Sequence, residues 1–421
     1  MRILFLSDNF PPEGNAPATR TYEHALRWVR AGHQVTVITC APNFPEGRLF
    51  PGYRNAWRAV ERLDGIRVVR VKSYITANEG FLRRTLDYLS FMASGTLAGL
   101  FERRPDVVVA TSPQFFCALG GWALARMRRR PFVFELRDLW PASITAVGAM
   151  RRSAAIRLLE RLERFLYRQA DAIVPVTHAF RDELVARGID AGKIHVVLNG
   201  VDMVQYRPAA RDPELAAAHR LENRFVVGYL GTHGMAHGLE TVVEAAALLE
   251  GEHDIAFFFA GSGAQRARVE RMVAERGLSN VRMIPRQPKE MMPKLWSLCD
   301  LSLIPLRDSA VFATVIPSKL FEAMAMGVPV LMSVPRGEAT GIVEATGCGM
   351  VAPPEDPRAM ADAILRLARD PRRMEAMRRA GCAAAPAYSR DRQAQLMSRV
   401  LEPLAGRDGG GVRDLRSAPD R

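Results

Sequence analysis

The chain has 421 residues, more than one ordinary hydrophobic core holds and enough for two domains. Its composition, 48% hydrophobic and 24% charged, is that of a globular protein, and its five cysteines (Cys40, Cys117, Cys299, Cys348, Cys382) show neither a CxxC pair nor a zinc spacing, so they read as reduced thiols of a cytoplasmic protein. The formal charge of +13 is uneven: residues 1–200 carry 29 Lys and Arg against 18 Asp and Glu, a net +11, and the remaining 221 carry +2. Such a split points to an anionic partner for the first half: a membrane surface, a nucleic acid or a phosphorylated substrate.

The opening "MRILFLSDNF" predicts a short strand, not a signal peptide, because Asp8 ends the apolar run too soon. Six further apolar runs follow: "QVTVITC", "IRVVRV", "DVVVATS", "PFVFELRD", "AIVPVT" and "KIHVVLNG". Helical segments at 18–31, 151–170 and 178–187 alternate with them. The uncharged run from Val107 to Ala125 is broken by Ser112-Pro113 and Gly120-Gly121, so it predicts a strand, a turn and a helix and not a membrane span. The second half repeats the pattern with "RFVVGYLG", "DIAFFFAG", "VRMIP", "LSLIPL", "PVLMSV" and "GMVAPP", separated by helices at 238–250, 264–276, 318–326 and 357–369. Near-continuous apolar strands alternating with helices predict an α/β fold of two doubly wound, Rossmann-like parallel-sheet domains. The boundaries read as a first domain at 1–198, a linker at 199–213, a second domain at 214–388, a final helix at 389–404 and a disordered tail at 405–421. Two such domains face each other across a shared cleft at the carboxyl ends of their strands.

The strongest phosphate-binding pattern is "GYLGTHGMAHGLETVVEAAALL", 228–249. A strand ends at Leu230, Gly231, Gly234 and Gly238 punctuate a loop, and a helix opens near Leu239. Glycines let backbone approach a diphosphate, and a helix N-terminus supplies free N–H groups. His233 and His237 are hydrogen-bond donors for phosphate or sugar; an ordinary strand-to-helix turn is the bland alternative. "FAGSGAQ" is a second, weaker turn of this kind. Neither is the GxGxxG fingerprint, which disfavours a nicotinamide dehydrogenase. In "IPSKLFEAMAMGVPV", Lys319 and Glu322 stand three apart in the first turns of an otherwise apolar helix. A lysine there faces the wrong end of the helix dipole unless a phosphate accompanies it. An intrahelical pair alone contributes only about 0.2–0.5 kcal/mol.

Several longer stretches resemble one family. They are "FPPEGNAPATRTYEHALRWVRAGHQVTVIT", "VVLNGVDMVQYRP", "GLSNVRMIPRQPKEMMPKLWSLCDLSLIPL", "PSKLFEAMAMGVPVL" and "TGCGMVAPPEDPRAMADAI". With them the chain resembles glycosyltransferase family 4, retaining enzymes of the GT-B fold, over residues 1 to about 400. "FELRDLWPASI", "GTHGMAHGLET" and "PSKLFE" look most like the branch that builds bacterial surface polysaccharides, including enzymes similar to N-acetyl-L-fucosamine transferases. The resemblance implies that Glu322 holds the ribose of a nucleotide-sugar donor and that backbone around Arg286 to Pro288 meets the base. It implies that the loop Gly231, Thr232, His233, Gly234 and Lys319 bind the diphosphate, and that Gly14 and Asn15 close on the donor from the other domain. Departures from the family pattern fall at Thr232 and His237, where many members have Arg and Lys, and at Thr314, where many have a second Glu. Where many have a His, "ELRDLWP" offers Glu135, Arg137 and Asp138. Lys319, His237, Asp138 and Arg137 are therefore the expected catalytic residues, and Glu338 in "PRGEATG" is the expected sugar contact.

No ligand spacing for a metal is evident, and the fold implied by the resemblance does not usually need one, so the expectation is a metal-free enzyme without a cofactor. The implied partners are a nucleotide-sugar donor, with UDP the first choice of nucleotide, and a lipid-linked saccharide acceptor. No nucleic acid partner is expected, because aromatic stacking motifs and a basic recognition helix are missing. "GFLRRTLDYLSFMASGTLAGLFERRP" places Arg pairs at both ends of an apolar segment, which suits peripheral contact with the inner face of the inner membrane; a core helix explains the same run. A nucleotide-sugar epimerase on the same fold, or a transferase acting on a soluble acceptor, are the rival readings.

Overall fold

The computed structural model describes residues 1–44, 46–76, 81–112, 114–139 and 154–406. The expected tail lies almost wholly outside the described residues, as do Trp140 and Pro141 of "ELRDLWP" and the first residues of the expected 151–170 helix.

The first sheet has seven strands: β1 (Arg2–Leu6), β2 (Gln34–Cys40), β3 (Arg58–Leu63), β4 (Ile66–Val71), β5 (Val107–Thr111), β6 (Phe132–Leu136) and β7 (Ala172–Pro175). Their order is β3-β4-β2-β1-β5-β6-β7, parallel except for β3, which runs antiparallel to β4 at the edge. Strand β3, "RAVERL", escapes a search for apolar runs because three of its six residues are charged and it is the exposed edge. Conversely, "KIHVVLNG" is not a full strand. It makes an isolated bridge from Ile194 to Ile173 and then leaves for the second domain.

The second sheet has six parallel strands: β8 (Phe225–Leu230), β9 (Ile255–Ala260), β10 (Val281–Ile284), β11 (Leu301–Pro305), β12 (Val330–Ser333) and β13 (Gly349–Ala352). The order β10-β9-β8-β11-β12-β13 reverses direction beside β8, the switch point at which doubly wound sheets bind ligands. The central strands are buried on both faces: every residue of β5, β6, β9 and β11 is buried. This explains their continuous rather than alternating hydrophobicity.

The chain passes between domains twice, and the two passages touch. Val201 N–H donates to Tyr388 O at 3.0 Å and Arg390 N–H donates to Val201 O at 2.9 Å. The final helix, Arg390–Ala405, then packs back onto the first domain. Met397, Leu401 and Leu404 join Ile3, Phe5 and Trp28 in one core, and Trp28 Nε1 donates to Ala394 O at 3.3 Å.

Candidate active site

The Gly231–Gly238 loop follows β8 and opens the helix Leu239–Leu248, with Gly238 as its N-cap. A second glycine loop supports it. Gly231 N–H donates to Ala260 O and His233 N–H to Ser262 O, both at 2.9 Å. A Cβ on Gly261 would lie 1.8 Å from Gly231 O, so only glycine permits this approach. "FAGSGAQ" is thus the buttress of the first loop.

Lys319 opens the helix Lys319–Met326, and its ammonium reaches this loop. Nζ stands 3.7 Å from the centroid of the Tyr229 ring, is buried and has no hydrogen-bond partner. Tyr229 is held in turn by its hydroxyl, which donates to Thr232 O at 2.5 Å. Burial lowers the Lys319 pKa to about 7. Glu322 is not its ion-pair partner: the carboxylate accepts from Trp296 Nε1 at 3.2 Å, and burial raises its pKa. The two charged groups on this apolar helix therefore remain separate, and Lys319 keeps an unmet need for an anion.

Both histidines lie here in neutral form. His233 is fully buried between Tyr229 and Phe259, and burial together with the Arg266 charge lowers its pKa to about 4. His237 sits edge-on to Tyr229 with Nδ1 3.4 Å from Gly234 O, and burial and the Lys319 charge lower its pKa to about 3. Neither is the cation that family members carry at this loop. Thr232 is exposed on the loop surface, and Thr314 turns inward to its own helix, donating to Val311 O at 2.7 Å.

Across the cleft, Arg286 Nη2 lies 2.9 Å from the position a Cβ on Gly14 would occupy. Gly14 therefore meets Arg286 of the second domain across the cleft. Its neighbour Asn15 serves the first domain instead. The Asn15 Oδ1 caps the helix Ala16–Arg30 by accepting from Ala18 N–H at 2.9 Å, while the Asn15 amide meets Asn9. Lys289 adds an ion pair to Glu23 at 2.5 Å, and Glu23 also pairs with buried Arg390.

Two groups of expected site residues are engaged with the first domain. Glu338 accepts from His178 N–H at 3.1 Å and Ala179 N–H at 2.9 Å, the first turn of the helix His178–Ala186. Its carboxylate is an interdomain clasp at a helix N-terminus rather than a free sugar ligand. Glu135 is fully buried in an ion pair with Arg20 at 2.8 Å, and Arg20 also donates to Val197 O and Leu198 O at the domain linker. Arg137 lies beside this pair, with burial lowering its pKa to about 9, and its N–H donates to Ser112 Oγ at 2.7 Å. Asp138 follows on the same loop, half-buried. Arg137 and Asp138 are thus at the carboxyl edge of the first sheet, beyond β6.

A cavity of about 250 Å³ opens in the first domain where β1, β2 and β5 end. Asp8, Glu13, Asn15, Arg84, Asp87 and Tyr88 are among its walls. Sequence reasoning used Asp8 only as the end of an apolar run. A polar residue directly after a central parallel strand was the available signal. Among the described residues, no group of three or more His, Cys, Asp or Glu side chains is placed to hold a metal ion.

Two family models match the chain: a glycosyl transferase 4-like domain over residues 15–200 and the glycosyl transferases group 1 domain over residues 212–383. A relative from Escherichia coli (strain K12), bearing the name putative colanic acid biosynthesis glycosyl transferase WcaI, is 28% identical over 336 residues, covering 78% of this chain and 82% of its own. D-inositol 3-phosphate glycosyltransferase 1 of Catenulispora acidiphila is 26% identical over 87% of this chain and 86% of its own. Among solved structures, sucrose-phosphate synthase from Thermosynechococcus elongatus superposes with a TM-score of 0.76 at 18% identity, covering 96% of this chain and 99% of that one. Anabaena HepE in complex with UDP-glucose superposes with a TM-score of 0.71 at 17% identity, covering 96% and 100%. These likenesses and the two facing parallel-sheet domains lead to one assignment: the chain belongs to the glycosyltransferases of the GT-B fold, with a family 4-like first domain and a group 1 second domain.

Proposed function

We propose that the chain is a retaining, metal-independent transferase that moves a sugar from a UDP-linked donor to a lipid-linked saccharide during surface polysaccharide synthesis. The observation that carries the donor half is the buried, unpartnered Lys319 ammonium beside the Gly231–Gly238 loop. A diphosphate placed there supplies the missing anion, and Glu322 lies one helical turn away for the ribose hydroxyls. HepE, a structural neighbour, was crystallised with UDP and with UDP-glucose, which supports UDP as the nucleotide. An N-acetylated amino sugar such as N-acetyl-L-fucosamine is the donor sugar that the resemblance names. In the reaction the anomeric carbon leaves the diphosphate oxygen and bonds to an acceptor hydroxyl on the same face. The hydroxyl proton passes to the departing phosphate, whose growing charge Lys319 stabilises. The separate cavity of the first domain favours a transferase over an epimerase, because an epimerase has no second substrate to seat.

The acceptor half rests on the helix Phe81–Leu100. Leu86, Leu89, Leu97 and Phe101 form an exposed apolar stripe on and just beyond it, with Leu97 58% and Phe101 76% exposed. Exposed Arg83 precedes the stripe and exposed Arg103 and Arg104 follow it. Such a face suits the headgroup region of an anionic inner membrane leaflet. Arg84, Asp87 and Tyr88 on another face of the same helix line the cavity, so a lipid-borne acceptor at the bilayer has a short path inward. No helix among the described residues is long and apolar enough to cross a membrane. Not every basic residue of this half serves the lipid surface. Arg128 donates to Leu100 O at 2.6 Å and Glu102 O at 2.8 Å, and Arg84 to the Tyr88 hydroxyl at 2.7 Å.

A thermal-shift screen of nucleotide sugars tests the donor, since a bound ligand raises the melting temperature by mass action. Co-sedimentation with anionic and neutral vesicles tests the membrane face. Binding to anionic vesicles alone, reversed by salt and lost on charge reversal at Arg83, Arg103 and Arg104, is the expected outcome. Faster transfer to a soluble small acceptor than to any lipid-linked one overturns that half.

A further inference from the structure

The first half of the chain is strongly basic, yet the cavity at the carboxyl edge of its sheet has three acidic side chains. Asp8 follows β1, Glu13 lies on the loop before the helix Ala16–Arg30, and Asp87 projects from the helix Phe81–Leu100. Two of them carry oxygens that nothing in the protein satisfies. Glu13 is only 3% exposed; its Oε1 accepts from Asn43 N–H and Phe44 N–H, both at 2.8 Å, but Oε2 has no partner. Asp8 Oδ2 accepts from Asn9 at 3.1 Å, and buried Oδ1 has no partner. Buried acceptors without donors cost free energy unless a bound molecule supplies O–H or N–H groups. Phe44 and Tyr88 add apolar and aromatic surface to the same cavity.

We infer that this cavity holds the sugar ring of the acceptor and that Asp8, Glu13 and Asp87 restrict it to rings bearing no negative charge. The inference rests on the transferase reading above and specifies its acceptor. A volume of about 250 Å³ is below the roughly 300–1,000 Å³ of sites that enclose drug-sized ligands, so it seats a single ring while the rest of the acceptor stays outside. Ring hydroxyls donate to Glu13 Oε2 and Asp8 Oδ1, satisfying both. A uronate or phosphorylated ring instead brings an anion against three carboxyl groups in a water-poor site. Burial raises all three to about 7, opposed at Asp87 by the Arg84 charge and aided at Asp8 by Asp87, at Glu13 by Asp8 and at Asp87 by Glu13. The cavity is thus already burdened by like charge before any ligand enters. A metal ion is the other occupant that acidic clusters attract, but no three such groups among the described residues are placed to ligate one. Arg84 is the cation among these walls: it is turned to the Tyr88 hydroxyl and its charge draws the Asp87 pKa down, but the acidic side chains outnumber it three to one.

The experiment uses the full chain saturated with UDP and a panel of neutral methyl hexosides and 6-deoxyhexosides, each beside its uronate or phosphate counterpart where one exists. Saturation-transfer NMR reads binding, and calorimetry reads UDP affinity in every variant. At least one neutral glycoside is expected to bind, at least about tenfold more tightly than its charged counterpart, the worth of one charge-assisted contact. Asp87→Asn and Glu13→Gln, which keep shape and remove charge, are expected to shrink that preference while UDP affinity stays at the wild-type value. No saturation transfer to any glycoside, equal or tighter binding of the charged ring, or a preference unchanged in both variants overturns the inference with the donor reading intact. Loss of UDP binding in the wild-type chain overturns the donor reading instead.

Discussion

The Lys319 ammonium lies 3.7 Å from the centre of the Tyr229 ring, buried and without a hydrogen-bond partner. Cation–π attraction offsets part of its desolvation, and burial still leaves its pKa near 7. A diphosphate beside it raises that pKa, so binding takes up a proton wherever the free enzyme has lost it. UDP-glucose affinity is therefore expected to be highest below pH 7. Above pH 7 it falls, by at most about tenfold per pH unit, until the bound-state pKa is passed. Calorimetry in buffers of different ionisation enthalpy measures the proton uptake directly. Lys319→Met is expected to flatten the profile and weaken binding at least about tenfold, the worth of one charge-assisted contact. Wild-type affinity in that variant would remove Lys319 from the site.

His237 is neutral in the free protein, held near 3 by burial and by Lys319. Protonation of His237 therefore makes no contribution to the pH dependence of donor binding around neutrality, and the Lys319→Met profile isolates the part that belongs to Lys319. His237→Gln, which keeps a neutral donor, is expected to preserve donor affinity, and His237→Ala to lower it. Equal affinity in both variants would reduce His237 to a loop residue.

Glu338 ties the second domain to the first through two N–H groups of the helix His178–Ala186. Glu338→Ala is expected to shift the molecule toward an open cleft, visible as a larger radius of gyration in solution scattering. UDP affinity is expected to persist, because Glu338 lies outside the Gly231–Gly238 loop proposed to hold the diphosphate. An unchanged radius with lost UDP binding would instead make Glu338 a donor ligand.

The Arg20–Glu135 pair is fully buried and reaches the domain linker. Glu135→Ala leaves an uncompensated buried cation and is expected to cost about 3–5 kcal/mol of stability. Arg2–Asp106, an exposed pair, is the control: Arg2→Ala is expected to cost only about 0–1 kcal/mol. Denaturant unfolding of both variants checks the contrast.

Turnover in excess EDTA checks the proposed metal independence. Activity that disappears and returns with Mg²⁺ or Mn²⁺ would show that a cation shares the diphosphate with Lys319.

The architecture was legible because strands buried on both faces announce themselves as unbroken apolar runs. Strand β3 was not, being a charged edge, and "KIHVVLNG" misled because a linker leaving a sheet is apolar on its buried side. In the proposed donor site, Lys319 and Glu322 stood out as charges on an apolar helix, a local conflict readable without coordinates. Tyr229, Trp296 and Glu13 did not, since their roles depend on what the fold brings beside them. The hydrogen bonds of Glu338 were not legible for the same reason: its sequence shows a carboxylate at a helix start, not the second helix whose N–H groups it meets.

The two passages between domains run side by side, joined by the Val201 and Tyr388 backbones, and the last helix returns to the first domain. In engineering terms the second domain is a cassette with adjacent ends. Replacing it between those two junctions exchanges the second domain while leaving the first its own terminal helix. A chimera cut instead at the linker alone would carry a foreign helix into the Trp28 core and disturb the half it was meant to keep.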